Sequence, residues 1–123
     1  MTEEYNGSAW TSGGNLNTGR GSLLGGSIGT QTSALAVGGN VPPYTGATEE
    51  YDGSTWTTSP ATLSTARASG SGCGTSSLAL VFAGQTPSIT NATEEWVNYG
   101  QPNTFENVGQ VWYNGTTKAL KFT

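Results

Sequence analysis

The chain has 123 residues, a formal net charge of −4, 33% apolar and 10% charged residues, and one cysteine. Gly, Thr, Ser and Asn account for 61 of the 123 positions. That composition excludes a coiled coil or a helical bundle, and no run approaches the roughly 18 apolar residues of a membrane-spanning helix. Four Trp, five Tyr and three Phe argue against disorder. An all-β domain of short strands between Gly- and Thr-rich turns fits best.

Taken in chain order, the first element is a hairpin over Thr2–Trp10. A weak, Gly-rich strand is predicted near Leu23–Gly29. A compact apolar strand follows at Ser33–Val37 and ends in Gly38-Gly39, as suits a strand covered on both faces. A third strand spans Thr48–Tyr51. The tight-turn signal Asp52-Gly53 leads to a fourth at Thr55–Thr58. Residues 62–97 supply three further strands. Val108–Tyr113, Asn114-Gly115 and Thr116–Phe122 then read as a C-terminal hairpin, expected to break the pattern and act as a cap or attachment element.

Internal repetition organises these elements. Thr2-Glu3-Glu4-Tyr5-Asn6-Gly7-Ser8-Ala9-Trp10 recurs as Thr48-Glu49-Glu50-Tyr51-Asp52-Gly53-Ser54-Thr55-Trp56. A third copy opens at Thr93-Glu94-Glu95-Trp96. Between the copies, Leu16-Asn17-Thr18-Gly19-Arg20 parallels Leu63-Ser64-Thr65-Ala66-Arg67, and the run to Gly38-Gly39 parallels the run to Ala83-Gly84. A four-stranded unit of about 45 residues has the size of one propeller blade.

The order Arg20, Gly38-Gly39, Tyr51-Asp52, Trp56 resembles the kelch repeat. In the next unit Ala83 replaces the first Gly and Trp96 replaces the Tyr. The resemblance covers residues 1–97 and implies kelch-like β-propeller blades: a half blade at 1–14, a full blade at 15–58 and a partial blade at 62–97. Residues 98–123 form a linker and capping hairpin. The Thr-Glu-Glu-Tyr wording in so Gly- and Thr-rich a chain resembles kelch-like repeats of phage structural (fibre) proteins, which implies a virion appendage as location. Two and a half blades fall short of the about four to eight of a closed ring. Homo-oligomerisation is therefore expected to complete it, with a trimer favoured and a dimer second.

The residue types restrict chemistry. With no His, neither a Ser-His-Asp nor a Cys-His catalytic group exists, and the usual zinc sites are excluded. Four basic residues in an acidic chain argue against nucleic acid, and neither a cofactor nor insertion into a membrane is expected. The opening Met1-Thr2-Glu3-Glu4 lacks the basic and apolar regions of a signal peptide. No metal-binding loop is spelled out either.

Glu49-Glu50 resembles a catalytic carboxylate pair, but neighbours on a strand point to opposite faces, so a structural role is expected. Arg20 and Arg67 are assigned to bridges between units, and Trp10, Trp56 and Trp96 to an inter-blade core. Glu49, Glu50 and Tyr51 belong to the same repeat framework. The three Asn-x-Ser/Thr sequences are assigned to turns and strand starts, and Cys73 to a buried or half-buried thiol. The aromatics outside the repeat, Tyr44, Tyr99, Phe105 and Trp112, are the candidate ligand contacts. The functional expectation is a non-catalytic structural or binding module that displays loops toward a host-surface glycan or protein. The alternatives are a glycan-cleaving propeller, or an engineered or evolved repeat fragment with no natural ligand.

Overall fold

In a computed structural model, the described residues are 1–98, 111–114 and 119–122, all strand, turn or irregular backbone without a helix. The strands are β1 Glu3–Tyr5, β2 Trp10–Ser12, β3 Gly25–Thr30, β4 Ser33–Val37, β5 Ala47–Tyr51 and β6 Trp56–Thr62. They continue as β7 Ser71–Gly74, β8 Leu78–Phe82, β9 Gln85–Thr86, β10 Ser88–Ile89, β11 Thr93–Val97, β12 Val111–Asn114 and β13 Ala119–Phe122. Seven of them form one sheet in the order β11-β8-β7-β3-β4-β5-β6. This sheet curls through 245° as a half-barrel, a shape compatible with a propeller-like fold. The pairs β1–β2, β9–β10 and β12–β13 are two-stranded sheets of their own.

The large sheet is two antiparallel meanders joined by one parallel contact. The first meander is β3–β6, and the second is β7, β8 and β11. Their registers correspond. Ala34↔Tyr51, Leu35↔Glu50, Ala36↔Glu49 and Val37↔Thr48 in the first become Ala79↔Trp96, Leu80↔Glu95, Val81↔Glu94 and Phe82↔Thr93 in the second. Trp96 thus stands where the first meander has Tyr51, not Trp56. Gly38 at φ 61° and Ala83 at φ 59° share a left-handed backbone. The second meander keeps that bend although its residue there has a Cβ.

The strand over Ser33–Val37 has the predicted bounds, whereas β6 runs on to Thr62 through Pro60. Pro60 is tolerated because β6 is an edge strand. The β9–β10 hairpin has no counterpart in the sequence reading.

The meanders join where β3 pairs with β7 in parallel, Gly25↔Ser71 through Ile28↔Gly74. The contact is close because Gly26 carries no side chain: a Cβ there would run into the Gly72 carbonyl, and its φ is +124°. Next to it lies the core, Leu24, Ile28, Leu35, Val37, Ala79 and Val81, with Leu63 and Trp96 packed against it. Leu35 and Val37 come from one meander and Ala79 and Val81 from the other, so the core is the seam between them.

Substituting Gly26 by Ala is expected to cost about 1–3 kcal/mol, from the strained φ and the lost approach. Gly25→Ala, where a Cβ meets nothing within 4 Å, is expected to be near neutral. Denaturant unfolding of the two variants checks the pair.

Candidate interaction site

The repeat carboxylates hold the framework together. The Glu49 side chain is buried against Arg20, Nη1 to Oε1 at 3.4 Å, and both side chains are 1% exposed. Its oxygens also accept the backbone N–H groups of Asn17 at 2.7 Å and Thr18 at 3.3 Å. Arg20 further donates to the Ala36 carbonyl at 3.2 Å. Burial pulls the Arg20 guanidinium below its usual value, while Glu49 opposes that shift.

The second meander repeats this arrangement. Arg67 lies 3.1 Å from Glu94, and the Ser64 N–H donates to Glu94 at 2.8 Å. Each ion pair therefore ties the segment entering a meander to the third strand of that meander.

Glu50 sits on the other face of β5 and accepts from Asn98 Nδ2 at 2.8 Å. Adjacent carboxylates thus serve different contacts, as strand geometry requires. Glu4 accepts from Tyr51 Oη and from Gln31 Nε2. Trp56 Nε1 donates to Thr2 Oγ1 at 3.0 Å. These contacts seat the N-terminal hairpin on the Tyr51 face of the first meander. Asn98 and the Ser33–Ser76 hydroxyl contact at 2.5 Å join the second meander to the opposite side.

Tyr51 and Trp56 pack with ring centroids 4.8 Å apart, and Tyr5 and Trp10 repeat the pairing at 5.1 Å. Trp10 is nevertheless 66% exposed. Within one chain it does not lie in the core expected for it, because the Tyr5–Trp10 face of its hairpin points away from the first meander. Trp56 and Trp96 are half-buried. Cys73 is exposed rather than buried, since it pairs with Leu80 on an uncovered face of the second meander.

That face gathers four of the eight large apolar side chains that lie exposed among the described residues. Leu78, Leu80, Phe82 and Val97 are 56%, 40%, 37% and 46% exposed. Leu78, Leu80 and Val97 border an open hollow of about 320 Å³ that also reaches Cys73, Glu95 and Trp96. The equivalent residues Leu35 and Val37 are covered by the second meander. The sequence shows an unbroken apolar run over Leu78–Phe82, which signals two faces to be covered. It does not show that one of them stays open.

The two ends of the strands differ. At one end lie short polar turns. Asp52 Oδ1 accepts from the Ser54 and Thr55 N–H groups, and Asn6 does the same for Ser8 and Ala9. Thr75 Oγ1 accepts from Ser77 and Leu78. The backbone and side-chain bonds from Thr55, with that from Ser54, hold the Asp52 carboxyl below its usual range. At the other end lie the loops after β4 and β8. There half-buried Tyr44 is 3.5 Å from Gln85, and Ile89 is 87% exposed. Sequence reasoning selected Tyr44 and missed Ile89, an apolar residue in a short polar loop. Tyr99 and Phe105 lie outside the described residues. Trp112 is placed on β12 by its backbone.

No protein-family model matches the chain, and no curated protein matches it either.

Removing the Glu49 carboxylate leaves a buried guanidinium without its counter-charge. Glu49→Ala is expected to cost about 3 kcal/mol, and Glu50→Ala, on the opposite face, no more than about 1 kcal/mol. Chemical denaturation separates them. The Asp52 turn carries a pH signature. Its pKa is lowered on folding, so its stabilisation is full above the unfolded value and is lost as pH falls through the folded value. Asp52→Asn, which copies Asn6, is expected to flatten the fall of stability below the ordinary aspartate range relative to the parent. Thermal melts across that range measure it.

Proposed function

We propose that the chain is a non-catalytic structural and binding module, part of a kelch-like propeller ring assembled from several copies, which presents its loops to a surface glycan or protein. The observation that carries this reading is the open face of Leu78, Leu80, Phe82 and Val97. Its Leu80 and Phe82 correspond in register to Leu35 and Val37, which the first meander keeps covered. A repeat unit with one face bare is built to receive another unit.

The carboxylates support the same reading. Glu4, Glu49, Glu50 and Glu94 are each engaged in contacts that fix strands or entering segments. They act as struts. In this reading the ring belongs to a virion appendage, as the resemblance to phage structural repeats implies, where rigid display of loops is the work required. The loop end with Tyr44 and Ile89 is the contact surface in this reading. It combines an aromatic ring and an exposed apolar side chain with a neighbouring amide, a set suited to stacking on a sugar or packing against a protein.

Light scattering is expected to give a closed multiple of 12.6 kDa. On a glycan array, the assembly is expected to bind, and Tyr44→Ala with Ile89→Ala to weaken binding at least about tenfold without changing the mass. A compact monomer, or turnover of an array glycan, would sink this reading.

A further inference from the structure

The terminal hairpins correspond to the two halves of one four-stranded unit. In β12–β13 the pairs are Val111↔Phe122, Trp112↔Lys121, Tyr113↔Leu120 and Asn114↔Ala119. In β7–β8 they are Ser71↔Phe82, Gly72↔Val81, Cys73↔Leu80 and Gly74↔Ala79. Both hairpins have four pairs, and in both the closing partners are five positions apart. Gly29↔Ala34 in β3–β4 has the same spacing. The inner strands also agree in sequence: Ala34-Leu35-Ala36-Val37, Ala79-Leu80-Val81-Phe82 and Ala119-Leu120-Lys121-Phe122. The C-terminal hairpin comes short of the period, Ala119 lying 40 positions after Ala79 against 45 from Ala34 to Ala79, yet its pairing agrees. It takes the register of the first two strands of a unit.

The N-terminal hairpin takes the register of the last two. Tyr5↔Trp10 and Glu4↔Thr11 in β1–β2 match Tyr51↔Trp56 and Glu50↔Thr57 in β5–β6. Among the described residues, no strand bonds to the other edge of β1.

We propose that β12–β13 of one chain pairs with β1–β2 of a second copy, completing a four-stranded unit that covers the Leu78–Phe82 face. This rests on the ring reading above and names its interface. Transferring the β4–β5 register sets Ala119 opposite Tyr5, Leu120 opposite Glu4, Lys121 opposite Glu3 and Phe122 opposite Thr2.

Charge supports this register. Arg20 and Arg67 neutralise Glu49 and Glu94, and the inner-strand residue opposite each Glu is Ala36 or Val81. Glu3 holds the matching position in β1. Residues 99–110, which lead into β12, contain neither Arg nor Lys. Lys121 stands where Ala36 and Val81 stand, so the cation missing from the entering segment is supplied by the inner strand itself.

Geometry requires the second copy. A chain's own β1–β2 rests on the Tyr51 face of its first meander. The second meander lies on the opposite side, with its open face turned outward. The unit that follows must cover that outward face, which the same chain's N-terminal hairpin does not reach. Each chain then accounts for three units. Two chains give six, within the range of about four to eight for closed propellers, whereas three give nine. On this proposal two copies close the ring, where the sequence reading favours three.

Cysteines at directly opposed antiparallel positions lie within disulfide reach. In a Cys73→Ser background, Glu3→Cys with Lys121→Cys is expected to oxidise to a covalent dimer. Glu3→Cys with Leu120→Cys, one register step off, is expected to stay reducible to no such species. In the parent chain, Glu3→Lys or Lys121→Glu alone is expected to raise the dimer dissociation constant about tenfold, and the double exchange to restore it. A disulfide within one chain, a ladder beyond the dimer, or no rescue by the double exchange overturns the inference. A three-chain mass overturns it and leaves the ring reading standing. A monomer overturns both.

Discussion

Two strands that are half glycine hold this molecule in one piece. β3 and β7 run in parallel with Gly26 against the Gly72 carbonyl. That approach fuses two meanders into a seven-stranded sheet. It also brings Leu35 and Val37 of one meander against Ala79 and Val81 of the other. The remaining order follows from it. The core exists only at the seam, and the curl of the sheet is set by strands from different units lying side by side. A chain that is 33% apolar has little core to distribute, so it gathers that core at one interface.

Polar chemistry fills the place that apolar mass leaves empty. Each meander is tied to its entering segment by a guanidinium–carboxylate pair and by N–H groups aimed at the same carboxylate. Buried ion pairs add little net stability over apolar packing of equal volume. Their value here is positional: they fix the entering segment against the third strand, and hence the first strand against its neighbour. The Asn6, Asp52 and Thr75 turns work in a similar way at one end of the strands, where a side-chain oxygen takes the N–H groups that the turn leaves free.

A repeat of this kind carries its own incompleteness. Every face that one unit covers is bare on the last unit, and every edge that one hairpin pairs is open on the first. In the proposed assembly, the exposed Leu80 and Phe82 and the exposed Tyr5 and Trp10 form the two sides of one such interruption. On that proposal they are one interface seen from its two partners, not isolated hydrophobic patches.

Much of this was legible in the sequence. The repeated Thr-Glu-Glu-Tyr motif, the apolar run at Ser33–Val37 and the Arg–Glu order depend on local pattern. A strand's period of two already places Glu49 and Glu50 on opposite faces. The C-terminal hairpin was legible as a hairpin. Its Asn114-Gly115 turn signal, however, hid the longer spacing that aligns it with β7–β8, because register is set by pairing and not by turn composition. The exposure of Trp10, Cys73 and Ile89 was not legible at all. Whether a residue is covered depends on which unit lies beyond it, and that is a property of the assembled sheet. The sequence by itself determined the unit, its struts and its turns, because each of these is closed within about 45 residues. Only the tertiary structure decided which faces meet and which remain bare, because that depends on how closely two glycine strands approach.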